Sequence, residues 1–191
     1  MKTEVNKTRL ALKAAKQHLG DAPVIGVEVG TSFGENAETI LKDFPNITKL
    51  YLVDSFPVCP DFMDAEVQKK HKATLIDKFK DDPRVELILK DSVEAAKQIE
   101  DKSVDFIYID ANHLYEPVKE DILAWLPKVK EGGIIGGHDY DYFDKHTGWH
   151  SVKKAVNEIF SKGDIKIGLT LQAIDLENFW ADIAVDWWVR K

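Results

Sequence analysis

Two short segments hold most of the polar groups that could do chemistry. Asp110-Ala111-Asn112-His113 follows the apolar run VDFIYID (104–110), and His138-Asp139-Tyr140-Asp141 follows GGIIGG (132–137). Buried strand ends rarely gather so many titratable side chains for packing alone. Carboxylates and imidazoles are the groups that general acid–base chemistry uses. A second set of residues suits ligand binding. VIGVEV (24–29) runs into Glu28-Val29-Gly30-Thr31-Ser32-Phe33-Gly34, where Gly30 and Gly34 permit close backbone approach and open a helix N-terminus. The dinucleotide fingerprint G-x-G-x-x-G needs glycine where Ser32 stands, so a cofactor without a pyrophosphate fits better. Asp54 ends LYLVD (50–54) and can accept two hydrogen bonds from ribose hydroxyls, and Asp91-Ser92 after VELIL (85–89) can read an adenine edge.

These residues need elements to position them. Short β-branched runs at 24–29, 50–54, 85–89, 104–110 and 132–137 read as buried strands. Amphipathic helices are expected over 5–19, 35–43, 92–100 and within 55–83, where a Pro-containing loop comes first. A stripe of Val118, Ile122, Trp125, Leu126 and Val129 marks another helix, and one of Val152, Ala155, Val156, Ile159 and Phe160, capped by Ser151, a sixth. Asp91 and Glu94 imitate a capping box. Alternating strands and helices predict a doubly wound, mostly parallel α/β sheet. Two last strands within 165–174 and 179–189 are too close for a crossover helix and predict an antiparallel hairpin. On the second, Trp187 and Trp188 alternate faces. Ligands of such sheets bind beyond the carboxyl ends of the strands, where the titratable residues lie.

Composition narrows the classes. The 191 residues make a single domain, and 44% apolar with 31% charged residues can bury a core. A net charge of −7 gives no positive field for non-specific phosphate binding, so no nucleic-acid partner is expected. No apolar run approaches a membrane span, and the first residues carry no apolar signal core. A cytoplasmic protein without a membrane partner is expected. The lone Cys59 excludes an intramolecular disulfide and a Cys-rich zinc site.

In order and spacing, E-V-G-T-S-F-G (28–34), V-D (53–54), K-D-S (90–92), Y-I-D (108–110) and G-G-I-I-G-G-H-D-Y (132–140) resemble class I S-adenosylmethionine-dependent methyltransferases. The resemblance implies their Rossmann-like seven-stranded fold with a C-terminal antiparallel hairpin, and S-adenosylmethionine as cofactor. By that resemblance Gly30 and Gly34 line its methionine part, Glu28 orders the loop or binds the amino group through water, Asp54 binds the ribose, Asp91 and Ser92 flank the adenine, and Ser32 and Asp110 also belong to the cofactor site. The pair I-D-x-x-H-x-Y-E (109–116) and G-G-I-I-G-G-H-D-Y (132–140) looks like the macrocin-O-methyltransferase-like branch, methyltransferase family 24. It is also placed like the metal-dependent catechol-type enzymes, which implies a divalent metal, Mg²⁺ or Mn²⁺, on Asp110, His138 and Asp139, and His113 as general base. His138 departs from their all-oxygen ligands, which suits Mn, Fe or Zn, or no metal with His138 as a base. With an ordinary pKa of about 6.5, His113 is expected to accept a proton at neutral pH. Residues 55–84 and 139–150 are expected to cover the site.

The expected activity is O-methylation of a small hydroxylated acceptor, a sugar or phenol, catalysed through His113, Asp110 and Asp139. A homodimer is open at this level. The alternatives are an NAD(P)-dependent oxidoreductase, against which Ser32 and the terminal hairpin count, and a methyltransferase-fold binding protein without catalysis.

Overall fold

The computed structural model describes residues 2–4, 9–57, 64–141, 143, 150–175 and 180–191. The lone Cys59, and parts of both covering segments, lie outside them. In chain order the elements are β1 (Lys2–Glu4), α1 (Leu10–Leu19), β2 (Val24–Val29), α2 (Glu35–Asp43), β3 (Ile47–Val53), α3 (Ala65–Phe79), β4 (Val85–Ile88), α4 (Ser92–Ala96), β5 (Val104–Ile109), α5 (Tyr115–Trp125), β6 (Val129–Gly137), α6 (Ser151–Ile159), β7 (Lys166–Asp175) and β8 (Trp180–Arg190).

The strands form one sheet in the order β1-β7-β8-β6-β5-β2-β3-β4. β6, β5, β2, β3 and β4 are parallel, and β7 and β8 form the antiparallel hairpin beside β6. The chain leaves β2 toward β3 and β4, then returns to β5 on the other side of β2. The switch point therefore lies between β2 and β5.

Strand alternation builds two cores. Val27, Val29, Ile107, Ile109, Ile135 and Trp187 face α4, α5 and α6 through Ala95, Ile122, Trp125 and Val156. Val24, Leu50, Leu52, Phe106 and Tyr108 face α1, α2 and α3 through Leu12, Ile40, Leu75 and Phe79. Trp187 is buried in the first core and Trp188 packs against the second, as their neighbouring positions demand.

Several element boundaries differ from expectation. The first helix begins at Leu10 rather than residue 5, and residues 2–4 instead pair antiparallel with Ala173–Asp175 as an eighth strand. Val129 is not on a helical stripe. Pro127 sits in a 3₁₀ turn (Leu126–Lys128) after α5, and Val129 opens β6 as a buried strand residue. Ser151 is buried inside α6, whose N-cap is His150 without a side-chain cap. Half of the capping box exists. Asp91 Oδ1 accepts from Val93 N at 3.0 Å and Glu94 N at 3.4 Å, but Glu94 pairs with Lys97. No helix among the described residues is long and apolar enough to cross a membrane.

Candidate active site

The parallel ladder continues one residue past each strand, which sets the site residues at one level. Gly30 N donates to Val53 O (2.8 Å), Asp54 N to Ile88 O (3.2 Å), Asp110 N to Val29 O (2.7 Å) and His138 N to Ile109 O (3.0 Å). Beyond these ends lies a cleft of about 690 Å³, lined by Glu28, Gly30, Ser32, Gly34, Asp54, Asp91, Ser92, Asp110 and His113 among others. That volume is in the range of small-molecule and cofactor sites, roughly 300–1,000 Å³.

Ser32 adopts φ +49°, the left-handed conformation that a glycine would supply. Asp54 holds it there. Its Oδ2 accepts from Ser32 N at 2.8 Å, and its Oδ1 accepts from Phe56 N at 2.7 Å. Asp54 thus ties the glycine loop to the loop after β3, and each carboxylate oxygen keeps a lone pair for a ligand. Ser32 Oγ lies 3.1 Å from Nδ1 of His71 on α3, a contact the sequence did not suggest.

The two glycines are needed for reasons beyond a ligand. Gly30 has φ +87°, and a Cβ there would stand 2.2 Å from the carbonyl oxygen of Asp110. Gly34 has φ +82°, and a Cβ would meet Phe79 and Leu75 of α3 at 2.6 and 2.9 Å. Gly30→Ala therefore forces two loops apart and should destabilise the fold by about 2–4 kcal/mol, combining backbone strain with overpacking. Denaturant unfolding measures this, and a loss under about 0.5 kcal/mol would show that the loops separate freely.

Glu28 is 1% exposed at the floor of the cleft. Burial pushes its carboxyl up to about 8, against the lowering hydrogen bond from Asn36, so it is neutral at pH 7. Asn36 Nδ2 donates to Oε1 at 2.7 Å, while Oε2 is buried with no partner in the protein. On α5, Asp121 interrupts the buried stripe of Val118, Ile122 and Trp125 and also lines the cleft. Burial raises its carboxyl to about 6, against its hydrogen bond with Ser92, whose Oγ accepts from Trp125 Nε1 at 2.8 Å. Asp121 was missed, although a carboxylate on an apolar stripe was a visible signal.

At the ends of β5 and β6 the two polar segments meet. His113 Nε2 lies 3.0 Å from Asp139 Oδ2 and 3.7 Å from Asp110 Oδ1. His138 Nδ1 lies 2.9 Å from Asp139 Oδ2 and 3.6 Å from Asp110 Oδ1. Asp139 has φ +56°, a strained backbone that turns its carboxylate between the two imidazoles. Desolvation opposes its charge, but His113 and His138 hold it well below the usual carboxylate range. The expectation of an unperturbed His113 is corrected. Burial lowers its pKa, but hydrogen bonding and charge from Asp110 and Asp139 outweigh that and lift it to about 10. Asp110, His113 and Asp139 bring ligand-type atoms within 4.8 Å of one another, whereas the expected metal set had His138 in place of His113.

The sequence profile of methyltransferase family 24, described as a methyltransferase domain, matches residues 27–140. The chain belongs to methyltransferase family 24. The matched stretch holds every cleft and cluster residue named above. Family 24 membership implies an S-adenosylmethionine-type cofactor and removes the ground for an NAD(P) oxidoreductase. A protein of Sinorhizobium fredii (strain NBRC 101917 / NGR234) named only as uncharacterized protein y4gI is 40% identical over 53 residues, 28% of this chain. This chain matches 6% of that protein's length. Among solved structures, spermidine synthase from Thermotoga maritima aligns with TM-score 0.65 and 17% identity over 93% of this chain, which spans 56% of that one. A putative rRNA methylase from Clostridium thermocellum aligns at 0.64 and 15% identity over 98% of this chain and 100% of its own. A putative caffeoyl-CoA O-methyltransferase from Staphylococcus aureus aligns at 0.61 and 15% identity over 98% and 86%. These likenesses establish the class I methyltransferase fold. They join different reactions, so the chemistry of this family 24 member must be argued from its own residues.

Proposed function

We propose that the protein transfers the methyl group of S-adenosylmethionine to a hydroxyl oxygen of a small hydroxylated acceptor, a sugar or phenol. The observation that carries this reading is the His113–Asp139 contact of 3.0 Å beside the cleft. A hydroxyl is a poor nucleophile until it gives up its proton, whereas a neutral amine attacks through its free lone pair. A histidine backed by a carboxylate is therefore most useful to oxygen methylation. When bound, the cofactor supplies the electrophilic methyl group. It fits the cleft. Glu28 Oε2 is an orphaned polar atom that a polar group of a ligand would satisfy, and Asp54, Asp91 and Ser92 stand at the strand ends where ribose and adenine would lie. His113 takes the acceptor proton at the ring nitrogen that does not face Asp139, Asp139 beside Nε2 stabilises the resulting imidazolium, and Asp110 orients the group from the end of β5.

A resident divalent ion on Asp110, His138 and Asp139 does not fit. The Arg9 guanidinium donates to His138 Nε2, and its Nη2 lies 3.8 Å from Asp110 Oδ2. Arg9 and a protonated His113 balance the two carboxylates, and His113 would have to lose its proton to become a ligand.

Methyl-¹³C S-adenosylmethionine, offered with catechols and with sugars, tests the function. A new methoxyl carbon resonance is expected. Methyl on nitrogen or carbon, or none with any acceptor, would contradict it.

The His113 shift also predicts a stability profile. A folded pKa raised from 6.5 to about 10 contributes stability that is full below about 6.5 and is lost as pH rises to about 10. The melting-temperature difference between wild type and His113→Gln should shrink over that window. A difference constant from pH 6 to 10 would show that His113 is not so perturbed. Taking the difference removes Glu28, whose raised pKa also weakens the fold between 4.5 and about 8.

A further inference from the structure

Arg9 lies outside residues 27–140, and nothing in the sequence pattern marked it. It flanks the start of α1 in extended conformation (φ −61°, ψ 138°), with its side chain only 15% exposed. Its place is fixed from below. Ala11 N, in the first turn of α1, donates to Asp186 Oδ2 at 3.1 Å. Asp186 on β8 is fully buried, and Tyr108 OH on β5 donates to its other oxygen at 3.1 Å. A buried carboxylate from another strand thus caps the helix that no local side chain caps, and this sets the direction in which Arg9 leaves the chain.

The guanidinium then reaches the end of β6. Nη1 donates to His138 Nε2, and Nη2 faces Asp110 Oδ2 at 3.8 Å. An arginine has donors and no acceptor, so His138 Nε2 must be the acceptor. The His138 proton therefore sits on Nδ1, which points at Asp139 Oδ2 from 2.9 Å. The result is a directed chain from Arg9 through His138 to Asp139 and on to His113. Neither nitrogen of His138 is left to ligate a metal.

We propose that Arg9 is the resident cation of the acceptor site, a positioning residue that holds Asp110 and His138 where a divalent ion stands in metal-assisted methyl transfer. The inference deepens the methyltransferase reading and rests on it for the identity of the acceptor side. Its consequence is a protein that needs no metal but would bind one if Arg9 were removed.

Calorimetry with MnCl₂ on the full chain, with and without S-adenosylhomocysteine, tests this. Wild type should take up no Mn²⁺ at its acidic cluster. Arg9→Ala should bind one Mn²⁺ per chain, at least about tenfold more tightly than the weakest affinity the calorimeter would register for wild type, because a neighbouring positive charge is gone. Adding Asp110→Asn should abolish that binding. Wild-type Mn²⁺ binding that Asp110→Asn removes would overturn the proposal, as would a folded Arg9→Ala protein that binds none. Should Arg9→Ala not fold, wild type alone decides through the ¹⁵N spectrum of His138. An Nδ1–H tautomer is expected, and an Nε2–H tautomer would overturn the assignment. Because Mn²⁺ is also titrated without cofactor, a failed cofactor reading appears separately as missing S-adenosylhomocysteine heat.

Discussion

His113→Gln should keep S-adenosylhomocysteine binding and lose roughly 10²–10⁴-fold in kcat, the usual worth of a positioned general base. Glutamine fills similar space and can hydrogen-bond to Asp139, so the loss reads chemistry rather than shape. The pH dependence is the sharper signature. At neutral pH the two carboxylates keep His113 protonated, so the basic form is a small fraction and grows as pH rises toward about 10. The wild-type kcat should climb through that range and level off near its end. The variant should show no such inflection. A profile shared by both proteins would remove His113 from the mechanism, and with it the argument for oxygen as the methylated atom.

Asp54→Ala should weaken S-adenosylmethionine or S-adenosylhomocysteine binding at least about tenfold. Charge-assisted hydrogen bonds are worth about 1.5–3 kcal/mol each, and two to ribose are expected. The structure adds a second reason for the loss. Asp54 also accepts from Ser32 N and Phe56 N, so its removal frees both loops that wall the cleft. Asp54→Asn keeps an acceptor oxygen and should lose less than Asp54→Ala. A folded Asp54→Ala protein with unchanged affinity would detach this carboxylate from the cofactor.

The central sheet was legible because its signals are local. Each buried strand is a β-branched run, and each ends in residues whose polarity breaks the pattern, such as Glu28 through Gly34 and Asp110 through His113. The terminal hairpin followed from the short spacing alone. Val129 misled because a valine four residues after Trp125 continues a helical stripe equally well, and only Pro127 argued for a break. The short β1 was not legible, because its partner is β7, at the far end of the chain. Arg9 was hidden for the same reason. Its position depends on Asp186, far along the chain, and a basic residue ahead of a helix has no periodicity to reveal it. The shift of His113 needed three-dimensional knowledge too, since its partner Asp139 comes from the next strand of the sheet.

The cleft at the switch point is the centre of the account, and one titration addresses it. Purified protein is titrated in the calorimeter with S-adenosylhomocysteine, and separately with NADH at the same concentration. Binding of one S-adenosylhomocysteine per chain, weakened at least about tenfold by Asp54→Ala and with no heat from NADH, is the predicted result. Binding of NADH in its place, or no S-adenosylhomocysteine binding by folded protein, would contradict it.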